Sequence, residues 1–298
     1  MNKKGIFKIV SNIIILLSLV FLAVYLIKQK QLVLLPIKNY TFFLVSVFFL
    51  VLGFFADGFS LMVFLNKSSI HFSYKNSLIN TGRYILAKYI PGKLGIILGK
   101  AAHVKEVTNI MATQAIQKLL VYQIFALISA MLVSIIPLYA FLNKGAHYYF
   151  WIILIIISGV VFVSQTKTQK FLLNIFEKLV KKNLGSPIPP SVVFISITTL
   201  MSCWVSWSLG FYFLALGLGF SVPVNIGFLF TLAALAGIIA LISPGGLGVR
   251  EGVIAAGLIF YGMSNEQAIS LSAFSRLWYL GGELFIFLLS AVLSFRKH

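Results

Sequence analysis

Positions 244–252 read PGGLGVREG, and positions 91–99 read PGKLGIILG, both inside otherwise apolar sequence. A Pro-Gly pair ends one helix and turns the chain tightly. Glycines without side-chain bulk then take dihedrals that other residues avoid. The helix that restarts after such a break exposes unpaired N–H groups, a natural seat for phosphate or carboxylate. Arg250 stands at that restart, and a guanidinium suits bidentate phosphate recognition. The candidate anion site is therefore Arg250, Glu251 and the backbone through Gly245, Gly246 and Gly248 after Pro244. Opposite it would stand Lys93 and the backbone from Gly92 to Gly95 after Pro91. Either motif alone also fits an ordinary interhelical loop.

The chain has only 6 acidic residues, so their positions carry information. Asp57 interrupts LVLGFFADGFSLMVFL and Glu283 interrupts LWYLGGELFIFLLS. An ionisable group at the bilayer centre costs about 2.5–3.5 kcal/mol on insertion scales, so it faces a partner or a wet cavity. Arg276 and Glu283, seven residues apart, share one helical face, as a buried ion pair or as the lining of a polar path. We expect Asp57, Arg276 and Glu283 to line such a path. The stretch NTGRYILAKYIPGK puts Arg83 and Lys88 just before the first break, with Lys100 beyond it. These three basic residues read as a basic interfacial helix region or as collectors of anionic headgroups.

No nucleophile–base pattern, nucleotide-binding loop or metal motif is present. Cys203 is the single cysteine, and the four histidines show no ligand spacing. Neither cofactor nor metal is expected.

The elements that must position these residues follow from composition. Of 298 residues, 60% are hydrophobic and 10% charged, with a mean hydropathy of +1.01. Long continuous apolar runs specify an all-α polytopic membrane protein rather than a β-barrel. Six full spans are expected near 6–27, 41–65, 115–142, 148–165, 192–219 and 268–295. Two regions, 74–112 and 226–263, read as broken, re-entrant hairpins; after the second break only about twelve apolar residues remain. The net charge of +18 comes from loop Lys and Arg without aromatic–basic interleaving on any polar segment. That pattern favours anionic lipid headgroups and excludes nucleic acid. Basic residues at the N-terminus, in 66–105, in the linker 166–190 and at the C-terminus place all four in the cytoplasm. The loop 28–40, with Lys28, Lys30 and Lys38, is discordant.

The two motifs lie 153 residues apart, and the same offset superposes Gln114-Ala115-Ile116 on Gln267-Ala268-Ile269 and span 41–65 on 194–218. Opposite starting directions make 41–142 and 194–295 an inverted repeat within one membrane domain covering 1–298. Inverted repeats with Gly/Pro-broken segments at matching positions point to a secondary-transporter-like architecture.

The stretches SPGGLGVREG with EQAISLSAFSRLWYLGGEL, and GRYILAKYIPGKLGIILGK, resemble the flippase-like transmembrane region of lysylphosphatidylglycerol synthases and their stand-alone relatives. In many relatives the first motif continues Gly-Glu and then Arg, whereas this chain has Gly95-Ile96 and then Lys100. The resemblance implies a multi-pass protein of a bacterial or archaeal plasma membrane that moves a phosphate-bearing lipid or lipid-linked glycan between leaflets. The longest polar segment, 166–190, is too short for the aminoacyl-transferase domain of full-length synthases. A phosphatidylglycerol lysyltransferase is thus disfavoured. A non-transporting partner of an envelope glycosyltransferase is the third reading.

Overall fold

The computed structural model describes residues 35–89, 94–142, 188–240, 246 and 248–295. Helix α1 (Tyr40–Lys67) begins where the Asn39 side chain accepts the Phe42 N–H at 3.1 Å. Its 28 residues extend about 42 Å at 1.5 Å per residue, enough to cross a bilayer. The short helix α2 (Tyr74–Arg83) starts under a Ser73 cap, runs into a 3-10 turn at Ile85–Tyr89, and is followed beyond the first break by α3 (Leu94–Thr108) and the 31-residue α4 (Ala112–Leu142). A similar succession follows, with the 3-10 turn ahead of its short helix rather than after it. The 28-residue α5 (Pro190–Gly217) leads to a 3-10 turn at Val224–Phe228 and α6 (Leu229–Ile239). Beyond the second break come α7 (Val249–Phe260) and the 31-residue α8 (Asn265–Phe295).

Helices α1, α4, α5 and α8 are long and apolar enough to cross a membrane. The other two expected spans, 6–27 and 148–165, and most of the linker 166–190 lie outside the described residues. The α7 helix has 12 residues, about 18 Å or roughly half a bilayer, as the apolar count after the break requires.

The α1–α5 pair forms the spine. The N–H groups of Lys38 and Asn39 both bond the Gly217 carbonyl at 2.9 Å, so the start of α1 meets the end of α5. At the other end Phe64, Leu65 and Ile70 pack in one cluster with Ile188, Val192 and Val193. The two helices are antiparallel. Because α2 follows the end of α1 and α6 follows the end of α5, the two broken units start from opposite ends of this pair.

Lipid tails are as apolar as leucine, so these helices associate through close packing rather than through a hydrophobic difference. Small residues at the contacts permit it. Trp207 fills the space beside Gly53 and donates its Nε1–H to the Leu50 carbonyl at 3.2 Å. Trp204 ties α5 to α4 by donating to Ser129 Oγ at 3.0 Å. Gly82 of α2 lies directly on the backbone of α8 at Ile286. Large apolar side chains such as Phe48, Phe194 and Leu288 are exposed on the outside, as a lipid-facing surface demands.

Candidate functional site

The second break closes on glycine. Gly246 and Gly248 have φ of +74° and +79°, the left-handed region that β-carbon sterics deny to most residues. Gly248 is the N-cap of α7, and its N–H donates to Glu251 Oε2 at 2.8 Å. The carboxylate thus satisfies one free N–H of the new helix and complements its dipole.

Arg250, one position earlier, turns inward. Its aliphatic stem crosses Gly237 of α6; a Cβ there would stand 2.6 Å from Arg250 Cγ and 3.3 Å from the Gly246 Cα. Its guanidinium carbon lies 5.0 Å from the Phe230 ring centroid and 4.9 Å from that of Tyr279. Gly237→Leu is therefore expected to push Arg250 off both rings and to destabilise the fold by about 1–3 kcal/mol, read by thermal unfolding in detergent. An unchanged melting temperature would show that the stem is not confined there.

Helix α8 presents Arg276, Tyr279 and Glu283 on one face near its midpoint, all buried, with Glu283 at 0% exposure. The first broken unit arrives at the same place. Lys88 Nζ pairs with Glu283 Oε1, and the Tyr89 hydroxyl donates to Glu283 Oε2 at 2.8 Å. Arg276 Nε lies 3.6 Å from Glu251 Oε1, with its guanidinium carbon 5.2 Å from the Tyr89 centroid. Three cations, Lys88, Arg250 and Arg276, thus meet two carboxylates, Glu251 and Glu283, leaving one formal positive charge (three minus two). Buried charges persist only when compensated: Glu283 pairs with and hydrogen-bonds Lys88, while Glu251 stands beside Arg276 at ion-pair distance.

Asp57 lies apart from this centre. Its Oδ1 accepts from the Tyr122 hydroxyl at 2.9 Å and its Oδ2 from Thr81 Oγ1 at 3.3 Å. Phe54, one turn earlier on α1, packs against Tyr279 at 5.5 Å between ring centroids and links the two regions.

Lys88 differs from its expected role. It does not stay with Arg83 and Lys100 as a collector at the periphery but turns into the centre, because Glu283 offers the carboxylate its ammonium needs. Arg83 places its guanidinium 5.8 Å from the Tyr84 centroid, and the Lys100 carbonyl accepts from Asn80. Gly95 lies in the first turn of α3. Pro91, Gly92, Lys93, Pro244 and Gly245 lie outside the described residues. Arg276 and Glu283 share a face as their spacing required, yet Glu283 pairs with Lys88 and Arg276 lies beside Glu251.

Sequence reasoning missed Phe230, Gly237, Tyr89 and Tyr279. Tyr89 and Tyr279 carried a usable signal. Tyr279 falls between Arg276 and Glu283 on the same helical face, and Tyr89 adjoins Lys88 just before the break. Phe230 and Gly237 carried none.

Long apolar helices enclosing a charged centre make this an all-α polytopic membrane protein. The chain belongs to the family described as the lysylphosphatidylglycerol synthase TM region, which matches residues 9–288. That membership sets the protein in membrane lipid or envelope biology. Comparison with curated proteins and with solved structures gave no match.

Proposed function

We propose that this protein is a flippase-like translocase for an anionic or phosphate-bearing lipid. The observation that carries the proposal is the meeting, at mid-length of a membrane-crossing helix, of residues flanking both breaks: Lys88 and Tyr89 before the first, Arg250 and Glu251 after the second. We read 41–142 and 194–295 as inverted copies of one unit. The matching order of helices of 28, 15 and 31 residues and then 28, 12 and 31 supports this, as do starts from opposite ends of the spine. Midplane sites at the junction of inverted repeats with discontinuous helices are the expected geometry for moving a charged group across lipid.

In this reading the headgroup phosphate takes up the surplus positive charge at Arg250 while the acyl chains stay in lipid. Lys88 and Arg276 exchange part of their contact with Glu283 and Glu251 for contact with the phosphate. No covalent chemistry is required. The reading keeps the plasma membrane, with both termini cytoplasmic, as its setting.

The test is leaflet exchange of fluorescent phosphatidylglycerol in proteoliposomes. The wild-type chain is expected to accelerate exchange over empty vesicles. Arg250→Ala is expected to slow it roughly ten- to hundredfold, the loss of one charge-assisted hydrogen-bonding group, with thermal unfolding retained. Exchange at the empty-vesicle rate across several anionic lipids would overturn the proposal.

A further inference from the structure

The centre has an order beyond its ion pairs. Aromatic rings and cations alternate through it as Phe230, Arg250, Tyr279, Lys88, Tyr89 and Arg276. Successive cation-to-centroid separations are 5.0, 4.9, 5.0, 5.6 and 5.2 Å. Each lies within the roughly 6 Å range where a cation is attracted to a ring face.

The three cations are not equivalent. Lys88 is held by Glu283, and Arg276 lies against Glu251. Arg250, buried at 9% exposure, has no carboxylate partner and no hydrogen-bond acceptor among the described residues. Both acids are engaged elsewhere. Glu251 is held at the N-cap by the Gly248 N–H, and Glu283 by Lys88 and the Tyr89 hydroxyl. Ring faces attract the flat faces of the guanidinium but cannot accept its in-plane N–H groups, which need an oxygen acceptor with matching fork geometry.

We propose that Phe230 and Tyr279 are positioning residues: their rings, 5.1 Å apart between centroids, form one aromatic seat on one side of Arg250 and leave its N–H groups as the docking station for a lipid phosphate. This rests on the reading of the centre as a lipid-phosphate site and names two residues that reading did not include. The seat explains why a charge without a direct ion pair is tolerated here: the rings offset part of its desolvation without using up its hydrogen-bonding groups. The Tyr279 hydroxyl is not required; the ring is.

The experiment is binding of dihexanoylphosphatidylglycerol to the purified full chain in a neutral detergent, with dihexanoylglycerol as the phosphate-free control. Wild-type protein is expected to bind the phosphatidylglycerol and not the control. Tyr279→Leu and Phe230→Leu are each expected to weaken binding tenfold or more, while Tyr279→Phe stays within about twofold of wild type. If Tyr279→Leu does not fold, Phe230→Leu and Tyr279→Phe decide the matter. Any one of three results would overturn the aromatic seat: no wild-type preference for the phosphate-bearing lipid, leucine variants that bind as wild type, or Tyr279→Phe losing as much as Tyr279→Leu. Binding needs no transport. Protein that binds in this pattern yet moves no lipid refutes the translocase and leaves the seat standing, whereas leaflet exchange unaffected by the leucine variants refutes the seat alone.

Discussion

Glu283→Ala is expected to destabilise the protein by about 3–5 kcal/mol, the range for breaking one side of a buried ion pair. The Glu283 side chain is fully buried and accepts from both Lys88 and the Tyr89 hydroxyl. Removing it strands the Lys88 ammonium, whose side chain is only 20% exposed, among two guanidinium groups in a low-dielectric interior. The cost comes from the unpaired charge left behind more than from the missing attraction. A second substitution separates the two. Lys88→Met in the Glu283→Ala background removes the stranded charge and is expected to recover most of the stability, whereas Lys88→Met alone strands the acid. Thermal and denaturant unfolding of the four proteins in one detergent closes this double-mutant cycle. A single Glu283→Ala variant within about 1 kcal/mol of wild type would show that the pair is loosely hydrated instead of buried.

Gly82→Leu is expected to cost about 3 kcal/mol or more, at the upper end for overpacking. A Cβ at Gly82 overlaps the Ile286 carbonyl oxygen and would stand 2.7 Å from Ser290 Cβ and 2.9 Å from the Ile286 carbonyl carbon. Two of these three atoms are main chain of α8, so no rotamer change relieves the clash. Helix α2 must retreat, drawing Lys88 and Tyr89 away from Glu283, and binding at the centre is expected to fall with stability. Gly281→Ala on α8 is the control. A Cβ there meets nothing, and replacing an exposed helical glycine gains up to about 1 kcal/mol of helix propensity. Equal melting temperatures for Gly82→Leu and Gly281→Ala would contradict the close approach of α2 and α8.

The four long helices were legible because each is an unbroken apolar run, and the shortness of α7 because Pro244 and Gly262 bracket too few residues for a crossing. The sequence also marked Arg250, Glu251, Arg276 and Glu283, since charge in an apolar run is rare enough to stand out. Partner choice was not legible. Lys88 and Glu283 are 195 positions apart, and no local pattern encodes a contact that depends on where two helices cross. Spacing left a mutual ion pair of Arg276 and Glu283 and a shared path lining equally open, because periodicity reports a shared face and not what is packed against it. The aromatic neighbours of Arg250 were hidden for a different reason. The chain has 28 Phe and 12 Tyr, and nothing in Phe230 or Tyr279 distinguishes a ring facing a guanidinium from one facing lipid. Asp57 stood out as a charge, yet Thr81 and Tyr122 give it a polar niche of its own.

Helix α8 meets the first broken unit through Glu283, Tyr279 and Arg276, and the second through Arg276 and Tyr279 again. It therefore lies like a camshaft between two followers: any roll or slide of it by a fraction of a turn would shift the contacts of both broken units together.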